Sequence, residues 1–89
     1  MASNYNEAIK RLMGHAFAHP ATDGGRLCAA TLSSLSNGKP VNLQDMALRL
    51  DRGNLDAALT VVREFRNYGL HHLPEDDMAE LAVIASRRR

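Results

Sequence analysis

The chain has 89 residues, 45% hydrophobic, 24% charged and only 4% aromatic, with 11 basic against 10 acidic side chains and a formal charge of +1. That length makes one domain with a small core, and a charge so near neutral excludes a global field that draws in polyanions, leaving only a local patch for nucleic acid. The single cysteine, Cys28, excludes an intrachain disulfide and fits a reducing cytoplasm; no apolar run approaches the roughly 20 residues that span a bilayer, and Met1–Tyr5 lacks the basic start and apolar run of a secretory signal.

Turn chemistry divides the chain at Pro20–Gly25, Asn37–Pro40, Asp51–Asn54 and Gly69–Pro74, and between the breaks apolar residues recur at helical spacing. The first helix is expected over Asn4–Ala18. Tyr5, Ile9, Leu12, Met13 and Ala16 form its stripe, Glu7 and Arg11 sit four apart on the polar side, and Pro20 ends it. The second is expected over Gly24–Ser36, capped by Thr22 or Asp23 and stopped by Asn37-Gly38. Cys28, Leu32 and Leu35 make its seam with Leu27 and Thr31 beside them; Ala29, Ala30, Ser33 and Ser34 are small enough for another helix to approach closely.

The third helix is expected over Leu43–Leu50, with Asn42 as cap and Asp45 in the capping-box position. Leu43, Met46, Ala47 and Leu50 face one way, and the preceding Lys39-Pro40-Val41 is extended but too short for a confident strand. The fourth is expected over Asn54–Asn67 and closed by Gly69. Leu55, Ala58, Leu59 and Val62 make its stripe, widened by Val61 and Phe65, with Asp56, Thr60, Arg63 and Asn67 opposite. The fifth runs from Pro74 to Ser86. Glu75, Asp76 and Asp77 complement its positive start, and Arg87-Arg88-Arg89 its negative end. Met78, Leu81, Ala82 and Ala85 form one face, while Val83 and Ile84 add apolar surface outside it, so more than one side must be covered. The expected fold is all-α: a single compact bundle of about five short helices, with a homodimer covering surplus apolar surface on the fourth or fifth.

Residues 42–69 read as a short helix, a tight turn and a longer helix. Such a unit presents one helix to DNA in many bacterial proteins and is equally an ordinary building block of all-α domains. In the helix–turn–helix reading Ala47 and Leu50 take the small and apolar places. Asp51 stands where glycine is usual and Arg52 where an apolar residue is usual, and Asp56 near the start of the reading helix opposes phosphate. The candidate contacts are Lys39, Arg49, Arg52, Asn54, Thr60, Arg63 and Asn67. The basic residues would hold phosphates, and Asn54, Arg63 or Asn67 would reach base edges. Arg87, Arg88 and Arg89 would add salt-sensitive phosphate contacts from a basic tail. The plainer reading of all these positions is a solvated helix face with ordinary caps. A ribbon–helix–helix needs a longer alternating strand than Lys39–Leu43 offers.

Other chemistry finds little support. His15 and His19 are spaced to face together on a helix, with His71, His72 and Cys28 as further ligands, but no paired-cysteine or HExxH pattern accompanies them. Cys28 lies among Leu27, Ala29 and Ala30, the setting of an inert buried thiol rather than a nucleophile. No catalytic residue, metal ligand or cofactor is assigned, and no enzyme is expected.

From Leu32 to His72 the chain resembles small proteins of bacterial plasmids and other mobile elements whose function is unknown. The matching features are Asn37-Gly38, Leu43, Leu48, Leu50-Asp51, Ala57-Ala58-Leu59-Val61 and His71-His72. The resemblance implies a bacterial accessory role and identifies no site residues. The expectation is a cytoplasmic, non-enzymatic DNA-binding accessory or regulatory protein acting on double-stranded DNA as a homodimer without membrane association. The alternative is a protein–protein interaction module, an adaptor or inhibitor whose exposed apolar surface binds an unknown protein partner.

Overall fold

The structure, a computed structural model, describes residues 2–87. Five helices form: α1 (Ala2–Ala18), α2 (Asp23–Asn37), α3 (Leu43–Arg49), α4 (Arg52–Tyr68) and α5 (Glu75–Ser86), with no strand among the described residues. Arg88 and Arg89, part of the expected basic tail, lie outside the described residues.

Local chemistry sets the helix ends. The Thr22 hydroxyl accepts the Gly25 N–H at 3.0 Å, the Asn42 side chain accepts Asp45 N–H at 3.0 Å, and the Asp51 carboxylate accepts Asn54 N–H at 2.7 Å. Gly38 and Gly69 close α2 and α4 with φ of 75° and 69°, a conformation that glycine reaches without steric cost. One boundary departs from expectation. Asp51-Arg52-Gly53-Asn54 is not a turn: Asp51 is the cap, and α4 begins at Arg52. Only Leu50 and Asp51 separate α3 from α4.

Helix α2 is the hub. It packs against α1 and α5 most extensively and also meets α3 and α4, while α4 rests chiefly on α1. Small residues make this possible: Gly25, Ala29, Thr31 and Ser33 are buried on α2 together with Cys28 and Leu32, so neighbours approach from more than one side. Tyr5, Ile9, Leu12, Leu32, Val61, Leu81 and Ile84 complete one continuous core. On α5, Leu81 and Ile84 are buried and Val83 points out, so Ile84 belongs to the core rather than to surplus surface. The radius of gyration, 11.6 Å, matches the roughly 12 Å of a compact domain this long. No helix is long and apolar enough to cross a membrane.

Polar contacts pin α1 to both ends of α4, an Arg11–Asp51 ion pair at 3.9 Å among them. The buried Tyr5 hydroxyl donates to the Gly69 carbonyl at 2.7 Å, and Arg11 Nε donates to Asn54 Oδ1 at 3.0 Å. Removing the hydroxyl with Tyr5→Phe leaves the ring in the core and takes one partner from the Gly69 carbonyl. Stability is expected to fall by about 1 kcal/mol, measured as a shift in the denaturant midpoint at unchanged slope.

Candidate interaction face of helix α4

The bent α3–α4 pair forms, but its helices rest on different neighbours, α3 on α2 and α4 on α1. Ala47, which a helix–turn–helix buries between its helices, is exposed, as is Leu43. Met46 and, just past its end, Leu50 carry α3 into the core, and the Thr31 hydroxyl of α2, which donates to the Leu27 carbonyl at 2.8 Å, lies 3.9 Å from Met46 Sδ.

Helix α4 is also turned relative to the expected stripe. Asn54, Ala57, Ala58 and Val61 face inward. Leu59 and Val62 are 52% and 49% exposed. The cause lies in size: Ala57 and Ala58 let α1 come close, whereas a Leu59-centred face would hold the helices apart. Sequence patterning cannot tell these arrangements apart, because both faces are apolar. At 100° per residue, Leu55, Leu59, Val62 and Arg66 share one side of the helix, and Arg52, Asp56, Arg63 and Asn67 run along one edge of it. Arg66, absent from the candidates read from sequence, is exposed on this side. Its spacing of three and four from Arg63 and Val62 was the available signal.

The eight sequence-selected residues that the structure describes are not gathered on one surface. Asn54 is only 3% exposed and serves as the partner of Arg11, so its amide is withdrawn from any base edge. Arg49 turns to α2, pairing with Asp23 at 3.1 Å and Asp45 at 3.7 Å in a cleft of about 280 Å³ that Arg26 and Ala85 also line. Arg26 pairs with the same Asp23 and donates to the Arg87 carbonyl at 3.3 Å. Lys39 lines a separate, adjoining depression beside Ala85 and Ser86. Arg87 is exposed at the end of α5. On α4, Thr60 bonds back to the Asp56 carbonyl at 2.9 Å. Arg63 pairs with Glu64 at 3.2 Å, and Asn67 donates to the same carboxylate at 3.4 Å. These hydrogen bonds, led by that from Arg63, hold the Glu64 carboxyl below the ordinary carboxylate range. Arg52 and Arg66 make no ion pair among the described residues. The Arg49 contacts are half exposed, so Arg49→Ala is expected to cost no more than ~1 kcal/mol in thermal unfolding.

The remaining chemistry is sparse. The His15 and His19 rings approach to 5.0 Å and those of His71 and His72 to 6.0 Å. Among the described residues no three His, Cys, Asp or Glu side chains converge as a metal site requires. Cys28 is fully buried. Its thiol pKa is pushed up to about 11, first by desolvation and then by the Asp51 charge, with Arg11 opposing. Such a thiol is neutral at physiological pH and a poor nucleophile. No known family, characterised protein or solved structure matches this chain.

Proposed function

We propose that this chain is a cytoplasmic, non-enzymatic protein-interaction module that works through the outer side of α4. Its resemblance to plasmid proteins implies an accessory role in a bacterial mobile element. The observation that carries this reading is the half-exposed pair Leu59 and Val62, set on the longer of the two candidate helices with Arg66 in line and Arg52 and Arg63 along one edge. Apolar centres with arginine at the edge are what protein interfaces select for. Against duplex DNA as the partner stand the carboxylates: Asp23 and Asp45 hold Arg49, Glu64 holds Arg63, and Asp56 shares the face. Each must be displaced or tolerated before a phosphate can bind.

The second reading, DNA binding, draws on Arg52 and Arg66, which have no carboxylate partner among the described residues. Titration into duplex DNA at two salt concentrations separates the two. DNA binding requires association that weakens steeply with salt and disappears in Arg49→Ala/Arg52→Ala/Arg63→Ala. The interaction module requires no such association. Its immobilised form should retain a protein, further copies of itself included, that a Leu59→Lys/Val62→Lys form with unchanged helicity does not.

A further inference from the structure

The geometry points to a metal-binding site at the C-terminal end of α1, where His15 and His19 together chelate one divalent late transition cation of the Zn2+ type and water fills its remaining positions. A metal here does not depend on what the outer side of α4 meets. His19 follows the last residue of α1, and its N–H donates to the His15 carbonyl at 2.9 Å, so the helical turn is complete through it. Side chains four apart on a helix stand one above the other. The two rings accordingly approach to 5.0 Å, centre to centre. Zinc–nitrogen bonds of about 2.0–2.1 Å meeting at a tetrahedral angle place two liganding rings roughly 5 Å apart. The observed spacing therefore suits a shared cation without rearrangement of the helix. His71 and His72 do not match it: they are sequence neighbours in a loop, with ring centres 6.0 Å apart and planes at 87°.

The surroundings leave the pair open. Neither ring has a hydrogen-bond partner among the described residues, so its nitrogens are not committed to the fold. Both rings line one depression of about 340 Å³, and Gly14 and Ala18 beside them project almost nothing into it. A Cβ at Gly24 would lie 3.0 Å from His15 Nε2, so glycine at that position leaves this nitrogen uncovered. Lys10 and Arg11 also line the depression and oppose a cation. Arg11, however, is engaged by Asn54 at 3.0 Å and faces Asp51 at 3.9 Å, and the carbonyl end of α1 favours positive charge. No third His, Cys, Asp or Glu joins the pair among the described residues, and Cys28 is buried. That excludes a closed structural site of four protein ligands and leaves an open chelate of two. Imidazole ligands select Zn2+, Cu2+ and Ni2+ over Mg2+, and Cu2+ binds a given site more tightly than Zn2+.

The test is calorimetric titration of the intact, untagged chain with Zn2+, Cu2+ and Mg2+, with the histidine ring resonances followed by NMR. One Zn2+ per chain is expected, Cu2+ binding more tightly and Mg2+ not at all. His15→Gln and His19→Gln should each weaken Zn2+ binding by roughly tenfold or more, because a single imidazole is left where two acted together. His71→Gln/His72→Gln should leave it unchanged. Zn2+ should shift the ring resonances of His15 and His19 and not those of His71 and His72. It should also raise the melting temperature of the native chain and not that of His19→Gln, since the unfolded chain does not hold the two rings together. Circular dichroism of the metal-free variants checks that helicity is kept. No uptake at millimolar Zn2+ overturns the proposal. So does uptake that survives His15→Gln or His19→Gln, and so do shifts centred on His71 and His72. One metal per two chains with a doubled mass would likewise overturn a site completed by water.

Discussion

Gly25→Ala is expected to destabilise the fold by at least ~3 kcal/mol, more than an added methyl group ordinarily costs in a core. Gly25 is buried in the first turn of α2, against the carbonyl of His19 at the end of the preceding helix. A Cβ there would lie 2.7 Å from the His19 carbonyl carbon and closer still to its oxygen. That oxygen is held in place, accepting the Thr22 N–H at 3.2 Å and the Thr22 hydroxyl at 2.8 Å. Relief therefore requires the backbone corner between α1 and α2 to open, which disturbs the two most extensive helix contacts of the bundle. The gain in helix propensity from glycine to alanine, up to ~1 kcal/mol, does not offset this. A domain of this size has roughly 4–13 kcal/mol to lose, so the melting temperature should fall by about 12–24 °C. Gly53→Ala is the control. Its Cβ would meet the guanidinium of Arg11, the far end of a flexible side chain. Losing one hydrogen bond to Asn54 against better helix propensity should leave stability within ~1 kcal/mol. Thermal unfolding followed by circular dichroism checks both, and similar behaviour of the two variants would refute this account of the α1–α2 corner.

The second large effect is alkaline sensitivity through Cys28. Its ordinary pKa is 9.0, and burial raises it to about 11 in the folded chain. Below pH 9 the thiol is protonated whether the chain is folded or not, and it contributes no pH dependence. Between pH 9 and 11 the unfolded chain loses this proton while the folded chain keeps it, so stability falls as pH rises. The fall levels off once the folded thiol also ionises. A shift of this size corresponds to roughly 2–3 kcal/mol. Cys28→Ala should flatten the decline between pH 9 and 10 in denaturant titrations, at the cost of a small cavity at neutral pH. Tyr5, whose pKa burial also raises from 10.0, acts in the same direction at higher pH, and Tyr5→Phe separates the two contributions. Native Cys28 should also resist thiol reagents until the chain unfolds. Rapid labelling of the folded protein would contradict its burial.

The elements were legible because their signals are local. Asn42, Thr22, Gly38 and Gly69 act within one helical turn of themselves; Asn42, Gly38 and Gly69 were readable one at a time, and Thr22 as one of two candidate caps. Asp51 was misread because an Asp-Arg-Gly-Asn run has the composition of a turn, while its carboxylate satisfies an N–H three residues on. The candidate site was less legible. Asn54 looks like a surface amide in sequence, and only the approach of Arg11 from α1 makes it a buried acceptor. Arg49 looks like a free cation until α2 brings Asp23 to it.

Periodicity and capping chemistry, which depend on residues three or four apart, determined by themselves that this chain is five helices and roughly where each begins and ends. Which side of α4 faces inward was decided only by the tertiary structure. There the small Ala57 and Ala58 admit α1 closely, and the larger Leu59 and Val62 are left at the surface. The same holds for the arginines. Their number and order are properties of the chain, but whether each meets a carboxylate or open solvent depends on groups tens of residues away, and only packing brings those together.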